Sequence, residues 1–176
     1  LVSSENGLNI GMRHISLSTC GLVEKIYDLA DRKLQLTLSV SLHAPNDAIR
    51  SMLMPVNAAY PMAELLAAAK EYAEYTGRRV IFEYALIQNM NSARKHAQEL
   101  ASRLRGINCH VNLIPLNYVE ERSLMGVTRQ EAETFMGWLS ELGISATIRR
   151  EMGTDIEGAC GQLRRRVLEA RREENR

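Results

Sequence analysis

Cysteine, proline, net charge and long apolar runs are all scarce in this chain, and each scarcity removes a class of protein. Only Cys20, Cys109 and Cys160 occur among 176 residues. An odd number, far apart, argues against a secreted disulfide framework and fits a reducing cytoplasm. No two cysteines, nor any Cys/His set, show metal-ligand spacing, so the chain by itself specifies no metal site. Four prolines and eleven glycines, with 45% hydrophobic and 24% charged residues, exclude a disordered or low-complexity chain. No apolar run approaches the roughly 18 residues of a membrane span, and no charged-then-apolar signal opens the chain, so no membrane partner is expected. Lys and Arg number 22 against 21 Asp and Glu, a net charge of +1. Such a balance gives no global basic field for nucleic acid, and RNA binding would have to rest on local features. The length also falls short of the roughly 250 residues of a closed (β/α)8 barrel. The chain opens with Leu1 and a run to His14 that reads as a loop entered in mid-domain, so further chain is expected upstream.

What is present is an alternation of strand and helix signals with no linker and no internal repeat, the pattern of one continuous α/β unit. Strands are expected over Arg13 to Thr19, Leu34 to Ala44, Val80 to Ile87, His110 to Asn117 and Ile144 to Arg149. Between them, Leu22, Ile26, Leu29 and Ala30 recur at helical spacing within Gly21 to Lys33. A connection carrying Asn46 and Asp47 and a short apolar turn lead to a helix opened by Pro61 and closed by Gly77. Another helix is expected from a cap at Asn91 or Ser92 to about Arg105, closed by Gly106. Thr128 and Glu131 form a capping box for a helix ending at Gly143. After a loop from Glu151 to Gly161 comes an Arg/Glu-rich helix. Helical crossovers between successive strands imply a parallel sheet, open or curled into a partial barrel.

Strand residues alternate faces. In the second strand Leu34, Leu36, Leu38, Val40 and Leu42 share one face, while Gln35, Thr37, Ser39, Ser41 and His43 share the other, which cannot be a dry core. His14, Ser16, Ser18 and Cys20 oppose Ile15, Leu17 and Thr19 in the same way. A sheet packed on helices through one face and lining a hydrated or ligand-filled concavity with the other accounts for both. Ligands of parallel α/β folds sit at strand carboxyl ends, which gathers Ser18, Ser41, His43 and Asn117 on one rim. Hydroxyls, an imidazole and an amide suit ribose, carboxylate or adenine edges. Equally, serines on such a face can bond one another and His43 can cap a strand end.

Cys160 stands between Ala159 and Gly161, small neighbours that allow close approach to the sulfur. Asp155 and Glu157 oppose thiolate formation there and Arg164-Arg165-Arg166 favour it; a packed small residue is the plainer alternative. Cys20 and Cys109 read as buried structural thiols. The arginines at 164–166 with Arg171 and Arg172 can contact phosphates, but interleaved Glu169, Glu173 and Glu174 fit a solvated helix face.

The pieces ISLSTCG, LSVSLHAPND, HVNLIPLN and GTDIEGACGQL, in that order from about Gly7 to Val167, resemble the C-terminal half of the RlmN family, the radical-SAM adenine-C2 methyltransferases of 23S rRNA and tRNA. The resemblance implies a partial (β/α) barrel of the radical-SAM type: residues 1–160 as the C-terminal part of a radical-SAM core domain, and 161–176 as a terminal helix. It implies S-adenosylmethionine (SAM) contacts at Ser18, at Ser41, Leu42 and His43, and at Asn117. Cys160 would become S-methylcysteine, receiving a methyl from one SAM, while a second SAM is cleaved reductively at a [4Fe-4S] cluster to a 5′-deoxyadenosyl radical. That radical takes a hydrogen from the S-methyl group, whose carbon adds to C2 of adenine; an electron donor for the cluster is implied as a partner. The family's C-x-x-x-C-x-x-C cluster motif, its glycine motif for the SAM amino group and its second cysteine are absent from these residues, so the segment alone is expected to be inactive. Three rivals stand beside this reading: a Cfr-type adenine-C8 methyltransferase, from which Ala44, Pro115 and Leu116 differ, a non-catalytic SAM- or nucleotide-binding module, and a purely structural fragment without a site.

Overall fold

The computed structural model describes residues 1–116 and 124–149. Five parallel strands, β1 (Ser16–Thr19), β2 (Thr37–Ser41), β3 (Val80–Leu86), β4 (Cys109–Pro115) and β5 (Ala146–Ile148), lie in the order of the sequence. Helices α1 (Val23–Asp31), α2 (Asp47–Leu53), α3 (Met62–Thr76), α4 (Arg94–Leu104) and α5 (Arg129–Glu141) fill the crossovers. Sequential order with crossovers of one hand puts every helix on the same side of a sheet. One cluster of buried residues bears this out, joining Ile26, Leu65, Tyr72, Leu100 and Phe135 of the helices to Leu38, Val40, Phe82, Tyr84, Val111 and Leu113 of the strands. The sheet is a wound, unclosed half-barrel type of arrangement, and among the described residues β1 pairs only with β2.

Alternation places the apolar strand residues under the helices and leaves the other face to Ser16, Ser18, Ser39, Ser41, Glu83, His110 and Asn112. On the covered side Tyr84 stacks on Phe135 at 5.6 Å between ring centroids, and Trp138 meets Phe135 edge-on at 6.2 Å. The buried Tyr72 hydroxyl donates to the Leu36 carbonyl, which ties α3 to the approach of β2. No helix among the described residues is long and apolar enough to cross a membrane.

Several local expectations hold and several shift. Gly77 closes α3 at φ +65°, a left-handed position that glycine takes without a Cβ penalty. Thr128 and Glu131 form the expected capping box, Thr128 Oγ1 accepting from the Glu131 N–H at 3.3 Å and the Glu131 carboxylate from the Thr128 N–H at 2.7 Å. Arg13 belongs to a short 3-10 turn, Met12–His14, ahead of β1. The segment after Asn46, read as a turn, is helix α2: Asn46 Oδ1 caps it by accepting from the Ile49 N–H at 2.9 Å. Helix α4 has Ala93 at its N-cap position without a side-chain cap, the Ala93 N–H donating to His96 Nδ1 at 3.1 Å, because Asn91 is engaged elsewhere. Cys20 is exposed and Cys109 half-buried, so Cys20 is not the buried thiol its composition class suggested; it follows β1, which among the described residues pairs on one side only. Burial pushes the Cys109 thiol up to about 11.

Candidate functional site

The open face of the sheet carries a connected polar layer. Ser39 Oγ donates to Glu83 Oε1 at 2.8 Å, and Asn112 Nδ2 donates to Glu83 Oε2 at 2.8 Å. Three strands are thereby joined through one carboxylate. Beyond Asn112, His110 places its ring nitrogens 2.9 Å from Ser145 Oγ and 2.8 Å from Thr147 Oγ1. Register sets Ser41, Glu83, Asn112 and Thr147 in one row across β2 to β5.

At the carboxyl ends of β1 and β2, Ser18 is exposed and Ser41 half-buried on this same face. His43 follows in a left-handed conformation, φ +57°, unusual for a residue with a Cβ and held by three contacts. Its N–H and that of Leu42 both donate to the Glu83 carbonyl, at 3.1 and 3.0 Å. Its Nδ1 accepts from the Ala85 N–H at 3.1 Å, and its carbonyl accepts from Asn91 Nδ2 at 2.8 Å. Burial moves the His43 pKa down. A neutral ring whose Nδ1 is an acceptor carries its proton on Nε2, so the imidazole can offer that N–H to a ligand. Leu42 differs from its neighbours: its side chain is fully buried in the core, and only its main chain can serve a site.

Two residues organise these strand ends, and neither stood out in the sequence as a site residue. Asn91, fully buried, donates to the carbonyls of His43 and Ala85 and accepts from the Ile87 N–H at 2.7 Å. It substitutes for strand pairing where β2 and β3 diverge. Arg50, fully buried, sends Nη2 to the Cys20 carbonyl at 2.8 Å and the Ser41 carbonyl at 3.4 Å, and Nη1 to Asn57 Oδ1 at 2.8 Å. One guanidinium thus bolts together the ends of the two strands that carry Ser18 and Ser41. Gly21 makes room for it: a Cβ there would stand 3.1 Å from Arg50 Nη2 and from both Leu65 methyls, at φ +106°. Burial lowers the Arg50 pKa, though a guanidinium stays protonated. The sequence carried no signal for it, because the burial of Arg50 depends on helix α2, which the sequence did not reveal. Asn46 and Asp47 turn out to be structural, Asp47 Oδ1 accepting from the Met62 N–H at 2.7 Å and from Asn57 Nδ2 at 3.1 Å.

Asn117 and Cys160 lie outside the described residues, as does the expected helix over 161–176. Of the expected rim, Ser18 and Ser41 stand near the carboxyl ends of the adjacent strands β1 and β2, and His43 follows two residues after Ser41. Hydroxyls, an imidazole N–H and nearby carboxylate fit a nucleoside ligand with polar substituents. Among the described residues no group of His, Cys, Asp and Glu can hold a metal ion, so these residues do not fit an iron–sulfur cluster.

No family model matches the chain. It is 52% identical over 171 residues to a protein of Thermoanaerobacter sp. (strain X514) called "Probable dual-specificity RNA methyltransferase RlmN", covering 97% of this chain and 50% of that one. A protein of the same name from Bacillus pumilus is 51% identical over 176 residues, 100% of this chain and 48% of its own. The chain thus spans about half the length of the curated relatives it matches. The crystal structure of a radical SAM methyltransferase from Sphaerobacter thermophilus superposes with a TM-score of 0.87 at 48% identity, covering 92% of this chain and 47% of that one. A domain of pyruvate-formate lyase-activating enzyme from Bacteroides vulgatus, 17% identical with a TM-score of 0.60 over 77% of this chain and 80% of its own, shares the fold.

Proposed function

Because the chain is homologous along nearly its whole length to RlmN-family proteins, we propose that it builds the SAM site and carries the methyl-bearing cysteine of a radical-SAM RNA methyltransferase acting on C2 of adenosine in 23S rRNA and tRNA. The observation that carries this reading is the grouping of Ser18, Ser41 and His43 at adjoining strand ends, fixed by Arg50, Asn91 and the Glu83 carbonyl. In it, Ser18, the main chain of Ser41-Leu42-His43, His43 Nε2 and Asn117 hold SAM. When bound, SAM supplies an electrophilic methyl group. Cys160, as thiolate, attacks that methyl carbon: an S–C bond forms, the sulfonium C–S bond breaks with its electron pair, and S-adenosylhomocysteine leaves. With cysteines only at 20, 109 and 160, the [4Fe-4S] cluster belongs to protein outside these residues, and the chain alone is inactive. The target adenine must be unstacked or presented in a loop.

The test is a Cys160→Ala substitution in the enzyme complete with its cluster-binding part. Loss of 2-methyladenosine, together with an added methyl mass on the wild-type Cys160 peptide, is expected. Normal C2 methylation by the variant would sink the assignment, and 8-methyladenosine as product would transfer it to a Cfr-type enzyme.

A further inference from the structure

Within the five strands, Glu83 is the sole residue with a formal charge at neutral pH. It stands on β3, the middle strand, on the open face and half-buried. Its two oxygens are fixed by neutral donors, Ser39 Oγ and Asn112 Nδ2, each at 2.8 Å. No salt bridge among the described residues engages it. A half-buried carboxylate without a cation opposite is stabilised by a group that brings positive charge to it. Among the described residues, hydrogen bonds from neutral donors account for its orientation and no cation lies within salt-bridge distance of it.

The position says what supplies that charge. The main-chain carbonyl of the same residue accepts from the N–H groups of Leu42 and His43, so the residue that carries the carboxylate is anchored beside the triplet that the proposed function assigns to SAM. SAM differs from S-adenosylhomocysteine by one methyl and one permanent positive charge at sulfur. We infer that Glu83 is a specificity-determining residue that recognises the sulfonium charge, making the site prefer SAM over the demethylated product. Two consequences follow from the chemistry: the site favours the reactive cofactor over its neutral thioether, and methyl transfer removes the attraction, which speeds product release. Neutral Ser39 and Asn112 are the right holders for this role, since a lysine or arginine in their place would cancel the field.

This inference rests on the SAM reading, and calorimetry on the enzyme complete with its cluster-binding part separates the two. The probes are SAM and S-adenosylhomocysteine, titrated into wild type, Glu83→Gln and Glu83→Asp, each first checked for a native circular dichroism spectrum. Glu83→Gln keeps the shape and removes the charge. It is expected to weaken SAM by about tenfold while leaving S-adenosylhomocysteine within about twofold, the scale of one partly screened charge pair. Glu83→Asp keeps the charge and is expected to retain the preference even if both ligands weaken. A wild type that binds both ligands, with a Glu83→Gln variant whose preference is unmoved or which loses both equally, overturns the role of Glu83 alone. A wild type that binds neither overturns the SAM site on this chain, and the role of Glu83 with it.

Discussion

The two faces of the sheet are made from the same strands yet obey different rules. On the helix-covered face, Val40, Phe82, Tyr84, Val111 and Leu113 are fully buried and meet helices of matching apolar stripe. On the open face Ser39, Glu83 and Asn112 interlock by directional bonds. The covered face draws its stability from area, which tolerates exchange of one apolar group for another of similar volume. The open face draws its order from partners, and each loss exposes an unsatisfied group. Stability and the proposed ligand binding are therefore separable by face.

The largest expected effect lies on the covered face. Phe135→Ala, which removes the ring stacked between Tyr84 and Trp138, should cost about 3–5 kcal/mol in urea denaturation. Should SAM affinity of the protein that stays folded collapse as well, the separation of faces fails. Arg50 bridges the two regions, being buried like a core residue and bonded like a site residue. Arg50→Met leaves the Cys20 carbonyl and Asn57 Oδ1 without donors; a loss of about 2–3 kcal/mol is expected, with weakened SAM binding because the ends of β1 and β2 are no longer held together. Unchanged SAM binding at that stability loss would make Arg50 a core residue only. Thr128→Ala, at the far end of a covering helix, should cost about 1 kcal/mol through its lost cap and leave ligand affinity untouched.

The smallest expected effect is on pH. Burial lowers the pKa of His43, His96 and His110 below the usual 6.5. Each unfolded imidazole then binds a proton more readily than its folded counterpart, so stability is full above about 6.5 and falls as pH drops from there toward the lowered values. Chemical denaturation between pH 7.5 and 5.0 should show this decline, and it should be shallower in His43→Gln. A midpoint that rises on acidification in this window would contradict the assignment of neutral rings.

Much of this was open to a reader of the sequence. The period-two alternation from Leu34 to His43 already separates an apolar from a polar face, because a strand has no other way to dispose of its side chains. The Thr128–Glu131 box and Gly77 mark helix ends by chemistry that operates within a few residues. Ser18, Ser41 and His43 were legible as strand-end polar groups for the same reason. Helix α2 was not, since seven residues give too little periodicity to distinguish a helix from a turn. Asn91 was misread as a cap because an asparagine ahead of a helix has that local option, and only the divergence of β2 from β3 supplied stronger partners.

By itself, then, the sequence determined whatever depends on neighbours along the chain: the alternation, the caps, the order of strands and helices, and the resemblance carried by four motifs. Only tertiary structure decided which distant groups meet. That Glu83 lies opposite Ser41 and Asn112 is a matter of strand register, fixed when the apolar faces of three strands pack against helices at once, since a slip of one residue would turn every side chain to the wrong side. That Arg50 reaches the carbonyls of both Cys20 and Ser41 depends on where α2 docks. Both are consequences of burying one face of a sheet, and the open face inherits its chemistry from that packing.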